Sequence, residues 1–341
     1  MPQALGIDAF LKGDGPLLDV RTPAEFEQGH IPGARNLPLF TDEERADVGT
    51  LYKQAGRQAA VRRGLALVAP RMGELADQLI AARAIDPDSP LRLHCWRGGM
   101  RSASVAWLAA TLDLEAVLLD GGYKAYRHWV LAWMERPWPL HLLGGRTGTG
   151  KTALLLALAA KGVAVVDLEG LAHHRGSSFG GLGLPEQPSS EQFENHIAAI
   201  LQRHQNATEI WLEAESVQVG RCRIPAGLWR QMKAAPVLEV RRPLEERLRH
   251  LVEIYGHQDP TALTEATLRI RKRLGPQRTA AAVEAISLGR MAQACAEMLD
   301  YYDRSYDRET AAHAATPVDL GDLAAEAAAE WLLREGLVKA S

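Results

Sequence analysis

The run Gly145-Arg-Thr-Gly-Thr-Gly-Lys-Thr152 constrains the fold more than any other feature of this 341-residue chain. It follows the apolar segment Leu140–Leu143 and opens the helical pattern Lys151–Ala160, the strand–loop–helix context that gives G-x-x-x-x-G-K-T its meaning. Gly145, Gly148 and Gly150 let backbone N–H groups wrap a phosphate chain, with Arg146, Thr147 and Thr149 filling the turn between them. Lys151 supplies charge, and Thr152 offers a hydroxyl to Mg²⁺. The pattern calls for a parallel sheet and a diphosphate-bearing ligand, and leaves open whether that ligand is ATP. If Mg²⁺ is used, a second strand-end acid is expected. Asp167, ending Val163–Asp167, is the first choice by position, and Glu213, ending Glu209–Glu213, is its alternative; either also reads as a solvent-facing strand end.

At about 100–200 residues per domain, the length predicts two domains. Apolar segments 17–20, 91–94 and 116–119 read as short buried strands, separated by helical patterns near 42–55, 65–83 and 100–112. Pro137 and Pro139 break the helical pattern that precedes them. The expected organisation is a small α/β domain at 1–135, a P-loop NTPase-like parallel-sheet domain at 139–260, and a helical C-terminal extension at 261–341. The Gly/Ser/Pro-rich stretch Arg175–Ser190 reads as a long loop, of the kind that is functional or mobile.

A second reactive centre is written in Leu91-Arg-Leu-His-Cys-Trp-Arg-Gly-Gly-Met-Arg-Ser102. Cys95 ends a strand before a glycine turn into a helix, where converging N–H groups and the helix N-terminus favour a thiolate and cradle a tetrahedral anion. Arg97 and Arg101 would add full charges to the cradle Trp96-Arg97-Gly98-Gly99-Met100-Arg101. This loop alone fits a chalcogen carrier or a phosphatase, since His94-Cys95-x5-Arg101-Ser102 matches the tyrosine phosphatase signature. A lone Cys is more often a core residue, and Cys222 and Cys295 are read that way.

Three cysteines are too few for a disulfide framework or a four-ligand zinc site. No basic, apolar leader opens the chain, and no uncharged apolar run reaches the ~18 residues of a membrane span, so a soluble cytoplasmic protein is expected. Net charge is −3, which by itself argues against nucleic acid. Residues 221–278, however, carry thirteen Lys/Arg against six Asp/Glu. Arg221, Arg223, Arg241, Arg242, Arg247, Arg249, Arg269, Arg271, Lys272 and Arg273 are therefore candidates for tracking RNA phosphates, with some expected to pair instead with Glu245, Glu246 or Glu265.

Leu17-Leu-Asp-Val-Arg-Thr-Pro-Ala-Glu-Phe-Glu-Gln-Gly-His-Ile-Pro-Gly-Ala34, with Gly121-Gly122-Tyr123 further on, resembles the rhodanese domain, in which Asp19 and Arg21 read as structural anchors. A rhodanese-like domain joined to a P-loop resembles the bacterial tRNA 2-selenouridine synthase family. The resemblance rests on Cys95–Ser102, Gly144–Thr152, Asp167-Leu-Glu-Gly-Leu-Ala-His-His-Arg-Gly-Ser-Ser-Phe-Gly180 and Leu212-Glu-Ala-Glu-Ser216, and covers about residues 5–300. His94 departs from the aromatic residue usual in that family before the Cys.

The resemblance implies a tRNA substrate whose wobble 2-thiouridine becomes 2-selenouridine. Geranyl diphosphate and selenophosphate would be co-substrates. Gly145–Thr152 would grip the diphosphate, and Cys95 would receive selenium from selenophosphate seated in Trp96–Arg101. His173, His174 and Arg175 would line the geranyl or tRNA site, and the enzyme supplying selenophosphate would be a partner. The rival readings are a sulfurtransferase or Cys-dependent phosphatase fused to a P-loop kinase, and a non-enzymatic, nucleotide-gated RNA-binding protein.

Overall fold

Short apolar runs alternating with helices fold into parallel sheets in this protein, because each strand returns to the same edge through a helical crossover. The structure, a computed structural model, describes residues 2–310 and 315–340, with side chains 308–310 outside the description. The chain divides into Met1–Trp133 and Met134–Ser341.

The first unit opens with β1 (Gln3–Leu5), α1 (Ile7–Lys12), β2 (Leu17–Asp19), α2 (Pro23–Gln28) and β3 (Arg35–Asn36). It continues with α3 (Asp42–Val68), α4 (Met72–Arg83), β4 (Leu91–His94), α5 (Met100–Thr111), β5 (Ala116–Leu119) and α6 (Gly122–Glu135). Its sheet is ordered β1-β5-β4-β2-β3, with every pairing parallel. Register sets Asp19 beside His94, so Arg21 and Cys95 leave the sheet side by side at the carboxyl ends of central strands, where open α/β sheets place ligands. Leu18, Leu79, Leu91, Leu93, Val105 and Leu118 form the core beneath. α3 is not one rod. Gly56 has φ +83°, and Arg63 Nε reaches Asp47 Oδ2 at 2.7 Å. Sixteen residues of straight helix would hold those groups about 24 Å apart. The two halves therefore fold back as a helical hairpin, the break falling where the 42–55 helical pattern runs out.

The second unit runs β6 (Leu140–Gly144), α7 (Lys151–Ala160), β7 (Val165–Val166), α8 (Leu168–Ala172), α9 (Ser190–Arg203) and β8 (Ile210–Glu213). Next come β9 (Gln218–Val219), β10 (Cys222–Arg223), α10 (Ala226–Met232), β11 (Val237–Arg241) and α11 (Leu244–Tyr255). The chain finishes with α12 (Pro260–Arg269), α13 (Arg271–Leu274), α14 (Pro276–Ser287), α15 (Met291–Thr310), β12 (Ala315–Asp319) and α16 (Ala325–Arg334). The main sheet is β12-β11-β6-β8-β7, parallel throughout, and β9 pairs antiparallel with β10. Leu143, Leu154, Leu158, Trp211, Val240 and Leu332 pack its core. A second cluster, including Leu251, Leu263, Ile270 and Met298, lies among α11, α12, α14 and α15.

Residues 261–341 are mostly helical, and one strand within them, β12, adds an edge to the main sheet against β11; Pro317 is tolerated there, since an edge strand can spare a donor. One expectation is corrected. The strand expected over Val163–Asp167 is only Val165–Val166, because Asp167 turns outward to cap α8. Residues 311–314 of the expected helical region lie outside the described residues.

Candidate functional site

Cys95 is almost fully buried at the end of β4, and two donors converge on its sulfur: Gly99 N–H at 3.3 Å and Ser102 Oγ at 3.2 Å. The loop is held from below by the glycine turn. Tyr123 and Lys124 donate N–H groups to the carbonyls of Cys95 and Trp96 at 2.8 and 2.9 Å. Gly122 has φ +60°, and a Cβ there would sit 2.4 Å from Gly98 N, so the approach demands glycine. Arg97 and Met100 are exposed at the mouth.

Arg101 is not the free charge the motif suggests. Its guanidinium donates to Glu25 at 2.6 and 3.3 Å. Burial alone would raise the Glu25 carboxyl, but the Arg101 hydrogen bond and charge win and lower it. Asp19 and Arg21 form a fully buried pair at 2.5 Å, and Arg21 also donates to Gly29 O and stacks 3.6 Å over Tyr123. This is the geometry of an anchor for the Cys95 platform. His94 is wholly buried with both ring nitrogens lacking a hydrogen-bond partner, and burial brings its pKa down to about 4.

In the second unit Gly145–Gly150 connects β6 to α7, with Gly145, Gly148 and Gly150 all at positive φ. A Cβ on Gly148 would meet Arg247 O at 2.7 Å. Lys151 Nζ spans the loop to Gly145 O at 2.8 Å, and Thr149 Oγ1 closes on Arg146 O at 2.8 Å. Register between β6 and β8 aligns Leu143 with Glu213. Glu213 is buried, accepts Leu168 N–H at 2.9 Å, and is pushed well above the carboxylate range by burial and by the adjacent Asp167 and Glu169 charges. Asp167 caps Gly170 N–H at 2.7 Å. The acid that meets Thr152 is neither of the expected two: Thr152 Oγ1 donates to Glu169 Oε2 at 2.6 Å. Glu169 was missed because it lies in the first turn of a five-residue helix, outside any strand-end pattern; its place two residues after Asp167 was the available signal.

Arg242 and Arg247, expected to contact RNA, instead clamp this loop. Arg242 Nε donates to Thr149 O at 3.0 Å, while Arg247, 5% exposed, donates to Thr147 O at 2.8 Å and grips Asp303. A buried, doubly engaged guanidinium is unavailable to phosphates outside. Arg221, Arg241 and Arg249 pair with Glu186, Glu239 and Glu246, Arg269 holds Ser178 O, and Arg273 reaches Tyr301. Arg223, Arg271 and Lys272 are exposed, with no acidic partner among the described residues.

His173 Nδ1–H donates to Glu186 O at 2.8 Å, and Arg175 donates to Leu182 O at 3.0 Å, so both brace the glycine-rich loop. Burial lowers the His174 pKa. None of the three lines the cavity beside the phosphate loop. That cavity, about 30 Å³, has Thr147 of the loop as one wall. Phe179, Leu251, Leu263, Ile286, Met298 and Leu299 dominate the rest, and its surface is nearly all apolar. Sequence reasoning missed it because six separate segments supply the lining.

A family model described as the tRNA 2-selenouridine synthase AAA domain matches residues 138–336, and the rhodanese-like domain model matches residues 7–128. Among curated relatives, the tRNA 2-selenouridine synthase of Cronobacter sakazakii is 43% identical over 260 residues, 73% of this chain and 67% of the relative. That of Shewanella piezotolerans is 40% identical over 256 residues, covering 73% and 68%. That of Marinobacter nauticus is 38% identical over 296 residues, covering 80% and 78%. Among the described residues, no helix is long and apolar enough to cross a membrane.

Proposed function

The chain belongs to the tRNA 2-selenouridine synthase family, and from that membership we propose that it replaces the sulfur of wobble 2-thiouridine by selenium through an S-geranyl intermediate. Membership makes it a tRNA-modifying enzyme that draws on a selenium donor. The finer chemistry is carried by one observation: the apolar cavity has Thr147 of the phosphate loop as a wall. An apolar slot beside a phosphate loop suits a diphosphate that carries an isoprenoid tail. At about 30 Å³ the slot is closed down, so a geranyl chain enters by displacing Met291 and Met298, the most adaptable of its side chains.

In this reading the diphosphate takes the place of Gly145 O as the partner of Lys151 and lies along the N–H groups of Gly145–Gly150. The nucleoside sulfur attacks the first geranyl carbon, the carbon–oxygen bond breaks, and diphosphate leaves stabilised by the loop, as the base gives up its N3 proton. Thr152 and Glu169 present hard oxygens suited to Mg²⁺, which would add positive charge at the leaving group.

Selenium enters at the Cys95 loop, whose cradle takes the phosphoryl oxygens of selenophosphate. Selenium is at the selenide level in both donor and product, so no reductant is needed if it keeps the electron pair of the P–Se bond. It adds to C2 and geranylthiol departs. The P–Se bond then breaks as the Cys95 sulfur takes the phosphoryl group, and water releases phosphate. The electron count thus favours a phosphoryl-carrying Cys95 over a selenium-carrying one.

The test incubates the protein with 2-thiouridine tRNA, geranyl diphosphate and selenophosphate and analyses the nucleosides by mass. Cys95→Ser is expected to accumulate the geranylthio nucleoside, and Lys151→Ala to slow its formation. A wild-type protein that leaves thiouridine untouched, or that turns over ATP in a Lys151-dependent way without geranyl transfer, sinks the reading.

A further inference from the structure

We propose that the tip of the α3 helical hairpin, Tyr52–Gln58, is an RNA-binding surface that holds the tRNA backbone beside Cys95. The inference rests on the tRNA substrate of the functional reading and adds where, on the rhodanese-like unit, that substrate is gripped. All seven residues of Tyr52-Lys-Gln-Ala-Gly-Arg-Gln58 are exposed in succession, and Tyr52 is 58% exposed. A helix that packs on its own core buries a residue every turn. This segment buries none, so core packing does not account for it.

Charge separates the tip from its stem. From Val48 to Gly73 the hairpin carries Lys53, Arg57, Arg62, Arg63 and Arg71 and no acid. The stem holds its own neutralising pairs: Arg63 with Asp47 at 2.7 Å and Arg71 with Glu44 at 2.8 Å. Lys53 and Arg57, on either side of the Gly56 turn, have no carboxylate partner among the described residues. Tyr52, Gln54 and Gln58 complete the tip. Cations for phosphates, an aromatic face for a base, and amides for base edges are what a single-stranded RNA loop requires. An acidic protein surface would match the cations but would give the tyrosine and glutamines nothing to read.

The tip is also placed for the task. Arg57 Nη2 lies 3.9 Å from Sδ of Met100, the exposed residue that opens α5 five positions after Cys95. A nucleotide held at the Cys95 loop would have its neighbouring phosphates within reach of the tip. The whole-domain charge hides this, because the acids of residues 1–135 lie elsewhere in the unit.

The experiment measures binding of 2-thiouridine tRNA to the full chain across a salt series. Lys53→Glu with Arg57→Glu is expected to weaken binding at least tenfold and to flatten the log–log salt slope by about 1.4, near 0.7 for each single-strand phosphate left without its cation. Tyr52→Ala should weaken it severalfold with the slope unchanged. The charge-retaining pair Lys53→Arg with Arg57→Lys should bind like wild type, which a structural role for either side chain would not allow. Unchanged affinity and slope in the double reversal overturn the proposal. So does a double reversal that keeps tRNA binding but loses capture of the purified selenophosphate-producing enzyme. If wild type converts thiouridine while the reversal binds normally, this surface is wrong and the function stands. If wild type binds tRNA through the tip but converts nothing, the function fails and the surface stands.

Discussion

Arg146 of the phosphate loop is tied to Asp307 of α15 by two hydrogen bonds, Nε to Oδ1 at 3.0 Å and Nη2 to Oδ2 at 2.8 Å. One turn earlier on the same helix, Asp303 holds Arg247, which in turn holds Thr147 O, and Met298, Leu299 and Tyr302 line the apolar cavity. A single helix thus carries both a wall of the apolar cavity and the carboxylates paired with Arg146 and Arg247. The Arg146–Asp307 pair is half exposed, and such pairs contribute less than about 1 kcal/mol. Asp307→Asn should leave the urea midpoint nearly unchanged and tighten geranyl diphosphate binding, by no more than about fivefold. Weaker binding would mean that Asp307 aims Arg146 rather than competing for it. Asp303→Ala should behave differently. It leaves the buried Arg247 guanidinium unpaired, so a loss of about 3 kcal/mol is expected in the same denaturation.

His94 makes the rhodanese-like unit sensitive to acid. Its folded pKa, about 4, lies below the ordinary 6.5 because the ring is buried. Between those values the unfolded chain binds a proton that the folded chain refuses, so stability present above pH 6.5 is lost as pH falls toward 4. The slope approaches one proton, about 1.4 kcal/mol per pH unit. His94→Phe removes the titrating group and two unpartnered ring nitrogens, and should flatten this part of the pH–stability curve. A variant with the wild-type slope over that range would assign the acid sensitivity elsewhere. Glu25 acts at lower pH: its lowered pKa keeps its contribution intact above the ordinary 4.5 and loses it as pH drops through the folded value.

The geometry of both glycine loops was legible in the sequence because glycine spacing and strand–helix order are local. Gly145, Gly148 and Gly150 stand at positive φ where the motif requires them, and Cys95 ends its strand as expected. What escaped was assembled by tertiary contact. Arg247 reads as one more cation in a basic block, and only folding shows it buried against Thr147 O and Asp303. Glu169 reads as a helix residue, and only the return of α8 toward α7 brings it to Thr152. β12 escaped because a five-residue edge strand containing Pro317 has no apolar run to announce it. The basic tip of α3 was hidden by averaging charge over a whole domain. Gly56, which ends a helical pattern in the sequence, is where the chain reverses.

The basic block of the second unit is smaller in effect than its composition. Most of its cations are committed to internal partners, which leaves Arg223, Lys233, Arg271 and Lys272 exposed without an acidic partner among the described residues. Arg271→Glu with Lys272→Glu should therefore weaken tRNA binding and reduce the salt slope by no more than about 2. Arg249→Glu, which trades an ion pair with Glu246 for a repulsion at the surface, should change the slope by less than about 1. Equal effects from the two variants would show that the block acts as a diffuse field rather than through particular contacts.

The cavity beside Thr147 sets the last expectation. Its walls include Cys295, whose thiol burial pushes up to about 11. Met298→Ala removes a long side chain from the wall; truncations of this kind cost about 2–5 kcal/mol when the site does not collapse. The widened slot should accept a longer isoprenoid diphosphate, read as a rise in farnesyl over geranyl transfer to 2-thiouridine tRNA in competition. Met298→Trp should do the reverse and raise the KM for geranyl diphosphate while leaving inorganic diphosphate binding intact, because the phosphate loop is untouched. If both variants change diphosphate binding and neither changes chain-length preference, the cavity is a packing defect, and the isoprenoid tail lies elsewhere.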